Sequence, residues 1–124
     1  MTVTYAGQRQ QFGAPIGSYQ AVKHHCSNMA LAVEAGRSTL WAAAVALDSA
    51  AQPARSRAAS AAAAYAKAEA SEVASTALQV HGGIGFTWEH DLHLFLRRIK
   101  VDEAFDGTVA EHRAALVPIN GPAG

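Results

Sequence analysis

Cysteine is almost missing from this chain: Cys26 is the single one among 124 residues. An intrachain disulfide is therefore excluded, and a reducing compartment suits the composition. Neither sign of charge is in excess, with ten Lys+Arg against ten Asp+Glu. The pairs Arg55/Arg57 and Arg97/Arg98 stand isolated. A chain without a basic patch has little electrostatic grip on a polyanion, so nucleic acid is not expected as a partner. Long hydrophobic runs are missing as well. The longest, Leu40 to Leu47, is far too short to span a bilayer, and Met1 to Phe12 lacks the apolar stretch of a signal peptide. A soluble, cytoplasmic protein with no membrane partner is expected. The last absence is alternation: no segment repeats with period two, and no internal repeat occurs. The length allows one domain with a real core, and that domain should be all-α.

What is present supports that fold. Half the residues are apolar, and many of them are alanine, which has the best helix propensity and lets helices approach closely. Met1 to Gln10 reads as the tail of a helix begun upstream. Phe12-Gly13-Ala14-Pro15-Ile16-Gly17 reads as a connection, being rich in glycine and proline. From Tyr19 to about Ser49, with Ser18 as cap, apolar residues recur at Val22, Cys26, Met29, Val33, Leu40, Trp41, Ala44 and Leu47. Steps of three and four are the period of a long helix with one buried stripe. Pro53 interrupts it. A second long helix is expected from about Arg55 to Val80, burying Tyr65, Val73, Ala77 and Val80, and ending at Gly82-Gly83-Ile84-Gly85. A third, capped by Thr87, should run from about Trp88 to Val101, with acidic residues at its start and basic ones at its end. Phe105-Asp106-Gly107-Thr108 reads as a turn before a short helix, Val109 to Val117. The fold expected is an antiparallel four-helix bundle over residues 1–117, followed by a flexible tail, 118–124.

Single motifs say little about chemistry. The glycine cluster at residues 82–85 follows a helix, whereas a dinucleotide fingerprint follows a strand. His90 and His93 lie three apart, while the zinc-protease pattern needs four with a glutamate between. They read as a solvated helix face, and no metal site is expected. His24, His25, His81 and His112 read as surface or hydrogen-bonded histidines rather than a cluster. Cys26 falls on the apolar stripe and reads as a packed thiol.

The order of the motifs is more telling. Arg9-Gln10-Gln11-Phe12-Gly13, then Tyr19-Gln20-Ala21-Val22, then Gln79-Val80-His81-Gly82-Gly83-Ile84-Gly85-Phe86, then Phe105-Asp106-Gly107-Thr108 are spaced by helices of matching length. This arrangement resembles the C-terminal helical domain of the acyl-CoA dehydrogenase family: an R-x-x-F-G loop, a Q-A helix start, a Q-x-x-G-G-x-G-F turn and an E-G-T turn. The resemblance covers about residues 4 to 117. It implies an FAD-dependent desaturation of an acyl-CoA thioester, with the domains that precede this one in the family supplying much of the site.

Carried over position by position, the resemblance implies FAD contacts at Arg9, Gln11 and Phe12, made to the flavin of a neighbouring subunit. An arginine fork suits a pyrophosphate. Tyr19 and Gln20 would line the flavin's path. Gln79, Gly82 and Gly83 would hold its adenosine-pyrophosphate side, where glycine permits close backbone approach. Thr108 and Ala110 would add further FAD contacts, and Gly107 a contact to the acyl-CoA. Asp106 occupies the position of the catalytic carboxylate that many members supply as glutamate. Aspartate is one methylene shorter, and a misplacement of about 1 Å can cost ~100-fold in rate. Other members carry the base on a preceding helix. The run Glu89 to Arg98 looks like bacterial members that work as α2β2 heterotetramers, including steroid side-chain dehydrogenases. These features favour a base outside the turn and a homo- or hetero-oligomer of such subunits. The same domain type also serves acyl-CoA oxidases and flavin monooxygenases, and a non-catalytic assembly module is the alternative from another class.

Overall fold

The computed structural model describes residues 1–117, so the expected tail at 118–124 lies outside the described residues. The chain is helical almost throughout. After α1 (Thr2–Gln8) come two short strands, β1 (Gln10–Gln11) and β2 (Ala14–Pro15). Two long helices follow, α2 (Gln20–Ser49) and α3 (Gln52–His81), then α4 (Leu92–Ala104) and α5 (Val109–Leu116). Helix α2 packs lengthwise on α3, and α4 and α5 lie on α3 as well.

The helix ends follow from local chemistry, with three departures from the sequence reading. Ser18 does not cap α2. It sits in a 3-10 turn, Ile16–Ser18, where its hydroxyl donates to Pro15 O at 2.6 Å. Pro53 separates the long helices but also opens the second one, standing in the first turn of α3, where a missing N–H costs nothing. Helix α4 starts at Leu92 rather than Trp88. The Thr87 hydroxyl donates back to Ile84 O at 2.9 Å and closes the preceding turn instead. At the other end of α3, Gly82 takes φ 61 and stops the helix.

Residues 10–15 form a two-residue antiparallel ladder, Gln10 opposite Pro15 and Gln11 opposite Ala14, where only a connection was expected. Phe12 (φ 53) and Gly13 (φ 80) at its tip are both left-handed, as the tightest hairpin turns require. For phenylalanine this conformation costs about 1–2 kcal/mol. The hairpin is pinned from outside: the Tyr19 hydroxyl donates to Gln11 O at 2.9 Å, and Ile16 N donates to Arg9 O at 2.8 Å.

The core is thin and alanine-rich. Its buried apolar residues are Ala6, Ile16, Met29, Ala43, Ala62, Ala64, Ala74, Ala77 and Leu92. Met29, Ala77 and Leu92 form its centre, with Cys26, Val73, Leu78 and Leu96 packed around them. Cys26 is thus the packed thiol expected. The predicted stripe of α2 is corrected beyond Met29. Val33 (48%), Leu40 (63%), Trp41 (67%) and Leu47 (54%) are exposed, and small residues such as Ala43 meet α3 instead. Small side chains allow the close approach, and the larger ones are left on a face that nothing among the described residues covers. By length and composition alone α2 could cross a membrane, although no continuous apolar run is that long. Its inner face is spent on α3.

Candidate functional site

The expected site residues fall into two groups. The first lies where α1, the hairpin and the end of α3 meet. Arg9, Gln11, Gln79, Gly82 and Gly83 line one open cavity of about 430 Å³, together with Tyr5, Ile16, Val80, His81 and Ile84. An adjoining cavity of about 360 Å³ takes in Phe12 and Tyr19, and shares Gln11 and Gln79. Phe12 is 89% exposed, held outward on the strained hairpin tip. Gln20 lines neither cavity and sits exposed at the first position of α2. Beyond Gly82 and Gly83 a Cβ would meet nothing within 4 Å, so their backbone is open to an approaching ligand.

His81 anchors this group. It is 3% exposed, and its Nδ1–H donates to Ala77 O at 2.7 Å. Its ring stacks on Tyr5 at 4.4 Å and meets His90 edge-on at 4.5 Å. The Tyr5 hydroxyl donates to His81 O at 3.3 Å, which docks α1 onto the end of α3. His81 is hydrogen-bonded, as expected, but it also forms an aromatic cluster with His90 that the sequence reading missed. The two lie nine positions apart across a turn of glycines, so no helical spacing announces the pair. His90 is accordingly half-buried rather than on a solvated face. Burial pushes the His81 imidazole below its ordinary value, the Ala77 carbonyl opposes this, and His90 adds to the lowering. His81 Nε2 has no partner among the described residues, an omission that costs about 1–3 kcal/mol. His81 lines the larger cavity, although its Nε2 is itself buried.

The second group is the turn between α4 and α5. Asp106 takes φ 57 and Gly107 φ 89. Every residue from Phe105 to Thr108 is exposed, and the Asp106 carboxylate forms no hydrogen bond or ion pair among the described residues. Thr108 caps α5 in a capping box: its hydroxyl accepts from Glu111 N at 3.2 Å, and its own N–H donates to Glu111 Oε2 at 2.7 Å. These bonds hold the Glu111 carboxyl below its ordinary value. Ala110 is exposed on the first turn of α5. Lys67, on α3, donates to the carbonyls of both Phe105 and Gly107. Lys67 and Gln79 are twelve residues apart on the same helix, or about 18 Å at 1.5 Å per residue. The chain does not bring its two groups together. Among the described residues no set of histidine, cysteine and carboxylate side chains could hold a metal ion.

Fold and site together define a class: an all-α domain with two separate polar stations, one at the end of α3 and one at the turn between α4 and α5. The family model for "Acyl-CoA dehydrogenase, C-terminal domain" matches residues 1–117. The acyl-CoA dehydrogenase IpdE2 of Mycobacterium tuberculosis is 43% identical over 102 residues, covering 79% of this chain and 29% of the relative. The acyl-CoA dehydrogenase FadE34 of the same organism is 50% identical over 97 residues, covering 77% and 14%. Among solved structures, the Tcur3481-Tcur3483 steroid ACAD superposes with a TM-score of 0.87 at 30% identity, covering 93% of this chain and 31% of that one. Butyryl-CoA dehydrogenase from Megasphaera elsdenii gives 0.86 at 26% identity, covering 93% and 30%. The chain belongs to the acyl-CoA dehydrogenase family, as its C-terminal helical domain. It spans at most about three-tenths of the length of these relatives.

Proposed function

We propose that this domain serves an FAD-dependent acyl-CoA dehydrogenase that desaturates an acyl-CoA thioester in the cytoplasm, as part of a homo- or hetero-oligomer of such subunits. The observation that carries this reading is the convergence of Arg9, Gln11, Gln79, Gly82 and Gly83 on one cavity, within a domain that the family model matches over residues 1–117. The donor set fits part of FAD. Arg9 supplies a guanidinium fork for a phosphate, Gln11 and Gln79 supply amides, and the open glycine backbone allows close approach. When bound, the flavin supplies the acceptor for the substrate's β-hydride. Phe12, Tyr19 and Gln20 would flank it.

The separation of the two groups is compatible with an oligomer, in which the Arg9 to Gly83 group would serve the flavin of a neighbouring subunit, as the family resemblance implies. The uncovered face of α2, with Leu40, Trp41 and Leu47 exposed, is apolar surface of the kind that subunits bury.

In this reading the Gly107 turn meets the acyl-CoA, and a carboxylate takes the α-proton. Asp106 is free to do so, but its side chain is a methylene short, and we place the base outside the turn. The test is rapid-mixing flavin reduction by acyl-CoA in the assembled protein without oxygen. Flavin should bleach, and reoxidise slowly in oxygen; bleaching followed by fast reoxidation would point to an oxidase, and no flavin at all to an assembly module. Asp106→Ala should slow reduction less than about tenfold. A loss of about three orders of magnitude, the scale of an essential acid–base group, would return the base to Asp106.

A further inference from the structure

Three consecutive carbonyls of the α4–α5 turn are each taken by a side chain from elsewhere. The Lys67 ammonium donates to the carbonyls of Phe105 and Gly107. His112 Nε2, from α5, donates to Asp106 O at 2.8 Å. A carbonyl only accepts, so the imidazole must carry its proton on Nε2. Asp106 and Gly107 are meanwhile held at positive φ, a conformation that glycine adopts freely and aspartate tolerates better than most residues. A Cβ on Gly107 would stand 3.3 Å from His112 Nε2, so the turn and the imidazole are fitted to each other. The Glu111 carboxyl is held below its ordinary value mainly by its bonds to Thr108, with Lys67 as the smallest contributor.

We propose that Lys67, seconded by His112, is the positioning residue of the Asp106-Gly107-Thr108 turn: it fixes the backbone that presents Gly107 to substrate, and it touches neither substrate nor flavin. The role in substrate binding rests on the function proposed above, while the clamp itself does not. Lys67 is suited to the task because one ammonium can donate to two carbonyls at once, and such charge-assisted bonds are about twice as strong as neutral ones. An apolar residue of similar length would leave three turn carbonyls with His112 as their sole side-chain partner.

The test compares Lys67→Met and Lys67→Arg in the assembled protein. The first readout is amide hydrogen exchange at Thr108, whose N–H is bonded to Glu111. Lys67→Met should raise its exchange at least about tenfold, the scale of losing hydrogen bonds to a charged group. Amides of the α3 core around Ala74 and Ala77 should stay unchanged, and Lys67→Arg should restore protection. The second readout is steady-state kinetics, where Lys67→Met should raise KM for acyl-CoA about tenfold or more and change kcat less. Unchanged exchange at Thr108, or a rise spread evenly over α3, would overturn the clamp. Raised local exchange with an unaltered KM would overturn its role in presenting substrate. If the unsubstituted protein fails to bleach with acyl-CoA, the functional reading falls, and exchange alone decides whether Lys67 holds the turn.

Discussion

The two turns that carry the site residues are held by opposite means. At the end of α3, the turn Gly82–Phe86 is closed by burial. Gly85 is buried, His81 is 3% exposed and Leu92 5%, and the rings of Tyr5, His81 and His90 pack against one another. A Cβ on Gly85 would meet both His81 Cβ and Leu78 Cδ1 at 3.0 Å, so this turn has no slack. The turn between α4 and α5 is exposed along its whole length and is held by Lys67, His112 and Glu111. Glycine stands in both turns, but its presence says nothing of what then holds the chain. A turn held by packing should respond to cavities and to protonation of its buried imidazole. One held by charged bonds should respond to loss of a donor or a cap.

The largest effect should come from a cavity at the packed turn. Leu92→Ala removes the branched side chain that closes the Met29–Ala77–Leu92 centre. It should cost about 2–5 kcal/mol in denaturant unfolding. A loss under about 1 kcal/mol would show that this end is not packed as described, and the contrast between the turns would fail.

Protonation should separate the turns next. The groups around His81 are Tyr5, His90 and the amino group of Met1, and no carboxylate is among those that shift it. Its folded-state value lies below the ordinary value of about 6.5, so the unfolded chain binds more protons in between. The contribution is therefore fully present above pH ~6.5 and is lost as pH falls through the folded value. Unfolding measured from pH 7.5 to 5 should show stability declining on the acid side. His81→Phe keeps an aromatic ring and removes the proton site, so it should flatten that decline. An equally steep decline in the variant would assign it to other groups.

At the exposed turn the cap is the weak point. Thr108→Ala removes the hydroxyl that accepts from Glu111 N and should cost about 1 kcal/mol, within the 0.5–2 range for such caps. Loss of protection should be confined to α5. Opening that reached the His81 cluster would mean the two turns are coupled and not independent.

Much of the fold is legible in the sequence because period and punctuation are local signals. The three-and-four spacing gives α2 and α3, and glycine at 82 and 107 marks the turns after α3 and before α5. What the sequence conceals is pairing. Helix α2 is apolar on more than one side, and spacing cannot tell which side meets α3, so Val33, Leu40 and Leu47 read as core and are exposed. Trp88 reads as helix because apolar and charged residues follow it, yet Thr87 bonds backward and the helix waits for Leu92. For the site, the R-x-x-F-G and Q-x-x-G-G motifs do converge on one cavity. His81 with His90, and Lys67 with the Asp106 turn, are contacts between elements far apart in sequence, and no spacing foretells them.

The smallest effect should come from a charged pair that holds nothing. Arg98 Nε and Asp102 Oδ2 are 2.9 Å apart, but the side chains are 77% and 52% exposed. At that exposure water and salt screen most of the attraction, and ordering two long side chains offsets the remainder. The order is also the weaker one, with the base N-terminal to the acid, and Asp102 sits near the negative end of α4. Arg98→Ala should therefore change the stability of the chain by less than about 0.5 kcal/mol, and less still at high salt. The Lys67 clamp uses the same kind of charge on a half-buried side chain, with two carbonyls that need a donor, so its removal should be felt. If Arg98→Ala cost more than about 1 kcal/mol in denaturant unfolding, exposure would not be what separates the two lysine- and arginine-based contacts. The contrast between a charge that positions a turn and one that merely decorates a helix would then be lost.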